Sequence, residues 1–477
     1  MAIPRFNGQL VRATSLQGAQ LRHQTYGAPR TAPAVAARAR RRALTFPEGY
    51  MLAFWILVVT DVHRWLAEAP RGPHILLMNK AMTLAFIPVI AMILLKGPEL
   101  AARLNKVVWY PLFLTFLLAS TLSILAAVHP EIAWQSVRGT MAYYFLGVGS
   151  LIFLNSPRHV VTLIMIITAQ YVWWGFESGV SGAVWWHPFY ANYDGYGPLV
   201  LVGMPLCFFV GLSARTRWIK YGCFFLATFC ILGIVTSYAR AVVICAVPVT
   251  GLMWWRSPNR KQMTGAIAAG VAVLVIAANT LFPSGFFWKE ISSAFTEGNT
   301  EGTGEDRWEL WTAAFQVFEL YPVVGAGAEN VGYAARRAFE SGQITGTGFY
   351  AENPRRIGGR ALHNTPLQIL SENGLVGFVC FLMMMVDFWR KNAKLRSPPF
   401  EQRWQAASGG EFALKPVAIG LEGGMLAYLL TSLFYNQLYM SIVWTLLVLN
   451  LLLYLSAKQP KAIRRAPIGR HEALRPV

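Results

Sequence analysis

Aspartate is almost missing from this chain. It occurs four times in 477 residues, at Asp61, Asp194, Asp306 and Asp387, and nowhere as Asp-x-Asp. A nucleotide-sugar transferase that holds a divalent metal through paired carboxylates therefore lacks its ligands. Cysteine is scarce too: Cys207, Cys223, Cys230, Cys245 and Cys380 all fall inside apolar runs. That excludes a disulfide framework and a cysteine–histidine cluster, and leaves buried apolar packing. There is no glycine-rich phosphate loop with its lysine. Charge is thin at 14% of residues, against 55% hydrophobic, whereas soluble domains carry roughly 25%. Neither metal nor cofactor is expected.

What the chain has in quantity is apolar sequence. A hydrocarbon core ~30 Å thick takes about 20 apolar residues per helix. Such runs recur near 49–66, 74–95, 107–128, 133–154, 159–178, 194–213, 218–238, 240–256, 263–283, 365–388, 414–434 and 438–457. The reading is an all-α polytopic membrane protein with about twelve transmembrane helices. The short alternating segments of a β-barrel are not seen.

The formal charge of +19 could suggest nucleic acid, but Lys and Arg are not gathered on one face or beside aromatic platforms. They sit in short loops and tails, as topology signals do. One set of connections holds Lys96, Arg103 and Lys106, then Arg158, then Arg215, Arg217 and Lys220, then Arg256, Arg260 and Lys261, then Arg390, Lys391, Lys394, Arg396 and Arg403. The opposite set holds mainly Glu68, Arg71, His129, Glu131, Glu177, His187 and Asp194. An even number of spans with this bias predicts both termini on the cytoplasmic side of the membrane.

The expected organisation follows. Residues 1–46 form a basic cytoplasmic tail that touches anionic lipid, because no apolar core with a small-residue cleavage site follows its arginines. Nine helices occupy 47–283, a large periplasmic loop 284–364, three more helices 365–457, and a second basic tail 458–477. The loop is near charge balance and too long to lack structure of its own. One helix is legible in it. Thr303 and Asp306 have cap-box spacing, and Trp308, Trp311, Phe315 and Phe318 recur at intervals of three and four before Pro322.

Several residues there invite chemistry. Arg240 stands at the outer end of an apolar helix, where the charge rule does not want it; it reads as an interfacial arginine snorkelling to headgroups or as a ligand for a lipid diphosphate, whose paired oxygens suit a guanidinium. Arg307 opens the aromatic helix and reads as a solvated arginine paired with Glu305 or Asp306, or as a second anion ligand. Gly325 and Gly327 serve a turn, or let backbone N–H groups approach an anion. His363 opens a span and reads as structural, as an acceptor-binding group, or as a base matched to neutral pH. Glu372 lies two and a half turns deeper, as a partner to a buried polar group. Asn364, and Asn192 and Asp194 before an earlier helix, read as caps or as supporting polar groups.

The ordered set Ser237-Tyr238-Ala239-Arg240, then Glu305-Asp306-Arg307-Trp308, then Pro322-Val323-Val324-Gly325-Ala326-Gly327, then His363-Asn364-Thr365-Pro366 running to Glu372-Asn373-Gly374 resembles the bacterial O-antigen ligase and O-antigen polymerase superfamily over roughly residues 190–385. The long basic tail, and Tyr238-Ala239 in place of a small polar residue before the arginine, depart from its pattern. The resemblance implies a GT-C-like membrane glycosyltransferase that is metal-independent and inverting. Its donor would be a glycan on undecaprenyl diphosphate and its acceptor lipid A core or another glycan. Arg240 and Arg307 would bind the donor diphosphate and His363 would be the catalytic base. Polymerase and protein O-glycosylating relatives share every motif, and a twelve-helix solute carrier remains the alternative of another class.

Overall fold

The computed structural model describes residues 44–60, 81–97, 107–154, 156–181, 193–281, 285–296, 304–346, 348–408 and 410–458. The elements below all fall in the compact unit Thr45–Val477. Both basic tails, the Thr303 cap, the side chains of Asp306 and Asp194, and Asn192 lie outside the described residues.

Among the described residues every regular element is helical. The bundle begins with α1 (Phe46–Thr60), α2 (Ala81–Leu95), α3 (Trp109–Ser123), α4 (Pro130–Phe153) and α5 (Pro157–Ser181). It continues with α6 (Tyr193–Ser213), α7 (Arg217–Thr236), α8 (Arg240–Arg256) and α9 (Arg260–Leu281). The polar excursion holds α10 (Phe286–Thr296), α11 (Gly304–Leu320), α12 (Val331–Glu340) and the single turn α13 (Phe349–Glu352). The chain returns through α14 (Thr365–Leu395), α15 (Pro398–Ser408), α16 (Leu414–Thr431) and α17 (Ser441–Lys458). Each of the twelve apolar runs overlaps one of these helices.

Seven described helices are long and apolar enough to cross a membrane: α3 with its 3-10 extension, α5, α6, α7, α9, α14 and α17. The chain is an all-α polytopic membrane protein. A backbone in hydrocarbon has no water to bond, so it must close its hydrogen bonds within the helix. The described parts of α1 and α2 are apolar but shorter.

Burial sorts the spans. α6 is 83% buried along its apolar window and α9 only 11%. The first is the hub of the bundle, and the second turns its Val271, Val275 and Ile276 outward. Between helices, small residues let backbones close up, as packing in lipid requires. Gly175 rests on the backbone of Phe229, and Gly203 on the ring stem of Tyr171. An aromatic wedge locks α3 to α17, with Phe113 stacked on Trp444 at 4.4 Å and 3°.

A buried carboxylate orders the helix ends. Glu422 of α16 is 1% exposed, yet it meets two arginines: Arg256 Nη2 at 3.1 Å from the last turn of α8, and Arg396 Nε at 3.4 Å just past α14. A charge inside a span persists only when paired. The pairing brings the C-terminal ends of α8 and α14 together. The residues that open them, Arg240 and His363, therefore both lie away from this pairing, on the other side of the bundle. On the Arg256 end the links continue, with Arg215 N–H donating to the Glu411 carbonyl at 3.2 Å and Ala413 N–H to Ser213 at 2.9 Å. Arg215, Arg256 and Arg396, all expected on one side, lie at this end.

Candidate functional site

α7 and α8 are separated by a three-residue break. Ser237 ends the first as Tyr238 turns into the left-handed region at φ 50°, and Ala239 is extended. Arg240 is thus the first residue of α8, which opens without a side-chain cap. The helix dipole and uncapped N–H groups favour negative charge in this position, and the guanidinium adds a full positive charge. That charge already has a neighbour: Nε donates to Glu290 Oε2 of α10 at 3.1 Å, with Nη2 at 3.0 Å. Both side chains keep about a third of their surface open, 34% and 27%.

α11 brings Arg307 toward the start of α14. The indole Nε1 of Trp311 donates to the Leu362 carbonyl at 2.8 Å, beside His363. Arg307 lies one turn before Trp311, where side chains four apart are neighbours about 5–6 Å apart. It is half-buried and makes no ion pair with a described residue.

His363 is held by its surroundings. Its φ of 52° is left-handed, a conformation L residues rarely adopt, and the neighbours on both sides are pinned. Leu362 is buried and bonded to Trp311. On the other side, Thr365 N–H donates to Ser432 at 2.7 Å and Thr365 Oγ1 to the Tyr435 carbonyl at 2.6 Å. Asn364 caps α14, its Oδ1 accepting Leu367 N–H at 2.9 Å. The half-buried imidazole is thereby aimed by backbone on either side of it.

The deepest layer is a polar cluster around Glu372. This carboxylate is 1% exposed and accepts from Tyr439 at 2.9 Å and from Gln368 Nε2 at 3.2 Å. Asn373 Nδ2 donates to Tyr439 at 3.3 Å, and its Oδ1 accepts Ser120 of α3 at 2.5 Å. Glu329 stands at the mouth of the cluster. Surrounding protein pushes its carboxyl above the ordinary value, with Ser136 opposing, although part of the side chain still meets solvent.

The Pro-x-x-Gly-x-Gly run does something other than cradle an anion. α14 breaks at Gly374, whose φ is 66°. In an unbroken helix Leu375 and Val376 N–H would bond to Ser371 and Glu372 carbonyls. Instead Leu375 N–H donates to Pro322 at 2.8 Å and Val376 N–H to Val323 at 3.2 Å. The released carbonyls of Ser371 and Glu372 accept Ala326 N–H at 2.9 Å and Gly327 N–H at 3.1 Å. The loop thus replaces two helix bonds with four of its own. The N–H groups of Ala326 and Gly327 are committed to α14, which corrects the expectation of donors for a phosphate. Gly325 and Gly374 permit the approach, since a Cβ on either would run into the other strand's backbone.

Sequence reasoning missed Glu290, Trp311, Glu329, Tyr439 and Glu422. An acidic residue in an apolar span is a signal in itself, so Glu422 was findable. Trp311 was read only as part of an aromatic stripe. Among the described residues no three His, Cys, Asp or Glu side chains could share a metal ion.

A comparison with curated proteins returns no match. Residues 222–382, about a third of the chain, match the O-antigen ligase family, a family of glycan-transferring enzymes. The matched stretch runs from α7 into α14 and takes in Arg240, Arg307, the Pro-x-x-Gly-x-Gly loop, His363 and the break at Gly374. Over that stretch the chain is similar to the O-antigen ligase and polymerase superfamily of membrane enzymes.

Proposed function

We propose that the protein is an inner-membrane O-antigen ligase that moves a glycan from undecaprenyl diphosphate to lipid A core on the periplasmic side, with both termini cytoplasmic. The observation that carries this is the shared end. Arg240 and His363 open two helices whose other ends meet at Glu422, and Trp311, one turn after Arg307, bonds to the carbonyl beside His363.

The chemistry follows from the roles. His363 takes the proton of an acceptor hydroxyl as that oxygen attacks the anomeric carbon from the face opposite the diphosphate. The bond from that carbon to the diphosphate oxygen breaks, and the leaving group departs with its electron pair. Arg240, Arg307 and the N-terminus of α8 stabilise the charge it acquires, without a metal. Inversion results from the single displacement. Glu372 and Asn364 hold α14 in the geometry that aims the imidazole.

A broken helix is also a feature of carriers, whose freed backbone groups coordinate the cargo. Here the groups released at Gly374 are consumed by residues 322–327. That favours the enzyme.

The test uses the full chain in nanodiscs with chelator present, supplied with undecaprenyl-diphosphate oligosaccharide alone or with lipid A core. A single shifted product that requires the core lipid supports the ligase. A ladder from donor alone makes it a polymerase, and no release of undecaprenyl diphosphate with either sinks the transferase.

Glu290 supplies a further prediction. It occupies the guanidinium that the diphosphate needs, so donor binding has to displace it. Exposed pairs are worth about 0.2–1 kcal/mol, which corresponds to at most roughly fivefold. Glu290→Gln should lower the donor KM by up to about fivefold with kcat little changed. An unchanged or raised donor KM would remove Glu290 from this competition.

A further inference from the structure

Beyond α12 the outer segment carries Arg355, Arg356 and Arg360 within six residues. All three are exposed and none makes an ion pair with a described residue. On the side of a membrane where arginine is disfavoured by topology, three guanidinium groups this close together, with no ion pair to a described residue, call for an explanation. The acidic groups nearby are in part spoken for. Glu309 accepts the N–H groups of Tyr350 and Ala351 at 2.6 and 2.8 Å, and Glu340 pairs with Arg336 at 2.9 Å.

The turn is rigid. Arg356 N–H bonds to Asn353 at 2.9 Å and Ile357 N–H to Pro354 at 3.2 Å. Ile357 is 1% exposed beneath it. A Cβ at Gly332 would come within 2.7 Å of the Ile357 carbonyl, so α12 and the turn sit backbone to backbone. Between them lies an open recess of about 700 Å³ lined by Arg336, Glu340, Glu352, Asn353, Arg355 and Arg356. Guanidinium forks match the paired oxygens of phosphate or carboxylate. A carboxylate and an amide beside them accept and donate to hydroxyls. This is a lining for a saccharide that bears an anionic group.

Six residues lie between Arg356 and His363, so the backbones of the two are within about 25 Å of each other. We infer that the recess formed by Arg355, Arg356 and Asn353 is an acceptor subsite that holds a phosphate or carboxylate substituent of the acceptor saccharide. The inference rests on the transferase reading for its link to the acceptor and not for the binding itself. It makes the site a selector: acceptors with an anionic group are retained near His363, and neutral ones are not.

Binding is read first, by titrating the full chain in nanodiscs with three soluble probes: a phosphate-bearing oligosaccharide, the same oligosaccharide after phosphatase treatment, and trigalacturonate. Tighter binding of the first than the second by tenfold or more identifies phosphate, and comparable tight binding of the third extends the site to carboxylate. In Arg355→Gln/Arg356→Gln the preference should vanish, while binding of undecaprenyl diphosphate and thermal stability stay unchanged. Equal wild-type affinity for phosphorylated and dephosphorylated probes, or a preference that survives in the double variant, overturns the proposal. A preference that is lost in the variant, in a protein that transfers no glycan to any acceptor, upholds the subsite and fails the transferase reading instead.

Discussion

Exchanging His363 for asparagine should leave the protein folded and the donor bound, and lower glycan transfer by roughly 100- to 10,000-fold, the usual contribution of a positioned general base. The choice of substituent follows from the backbone. His363 sits at φ 52°, in the left-handed region that His and Asn occupy more readily than alanine, so alanine would confuse lost chemistry with lost structure. Asparagine visits this region readily. The bonds that fix the loop, from Trp311 to Leu362 and from Thr365 to Ser432 and Tyr435, do not involve the imidazole. Single-turnover transfer, undecaprenyl diphosphate binding and thermal melting are measured on the same preparation. Transfer within threefold of wild type would remove His363 from the base role. A loss matched by an equal loss of donor affinity would make it a binding group.

Much of this arrangement could be read before any coordinates, because hydropathy and charge act locally along the chain. Each apolar run yields a helix since lipid leaves the backbone no other partner, and the basic connections mark one end of the bundle because that rule counts charges in loops. The order of arginine, aromatic helix, glycine loop and histidine was legible too. Contacts across long separations were not. Nothing in Trp311 distinguishes an indole that bonds to a carbonyl 51 residues away from its neighbour Trp308, which is 71% exposed. Glu290 gave no sign of meeting Arg240, since a carboxylate on a short amphipathic helix is ordinarily solvated. Gly325 carried a plain local reading as a turn glycine, and Gly374 stood only as the end of a motif within an apolar run. Their common purpose exists only once the two segments touch.

That shared purpose makes the second large prediction. Gly374→Ala should cost about 3 kcal/mol or more, from a left-handed φ that alanine resists and from disrupted bonds in a buried strip where each unpaired group costs roughly 1–3 kcal/mol. α14 can recover part of this by straightening, because Leu375 and Val376 can return to the Ser371 and Glu372 carbonyls. The loop then loses its seat, and with it the end of α11 and Glu329, which stands beside the Glu372 cluster, are displaced. Glycan transfer should therefore fall even where the variant still inserts, and amide exchange at residues 322–327 should accelerate while the rest of α14 stays protected. Gly325→Ala should act alike, since its Cβ would meet the Glu372 backbone from the other side. Residues that guard one contact are not additive. The double variant Gly325→Ala/Gly374→Ala should thus be little worse than either single one, as the first has already expelled the loop. Stability losses that simply summed would mean that the two glycines protect separate contacts, and that residues 322–327 do not stand in for the missing turn of the helix.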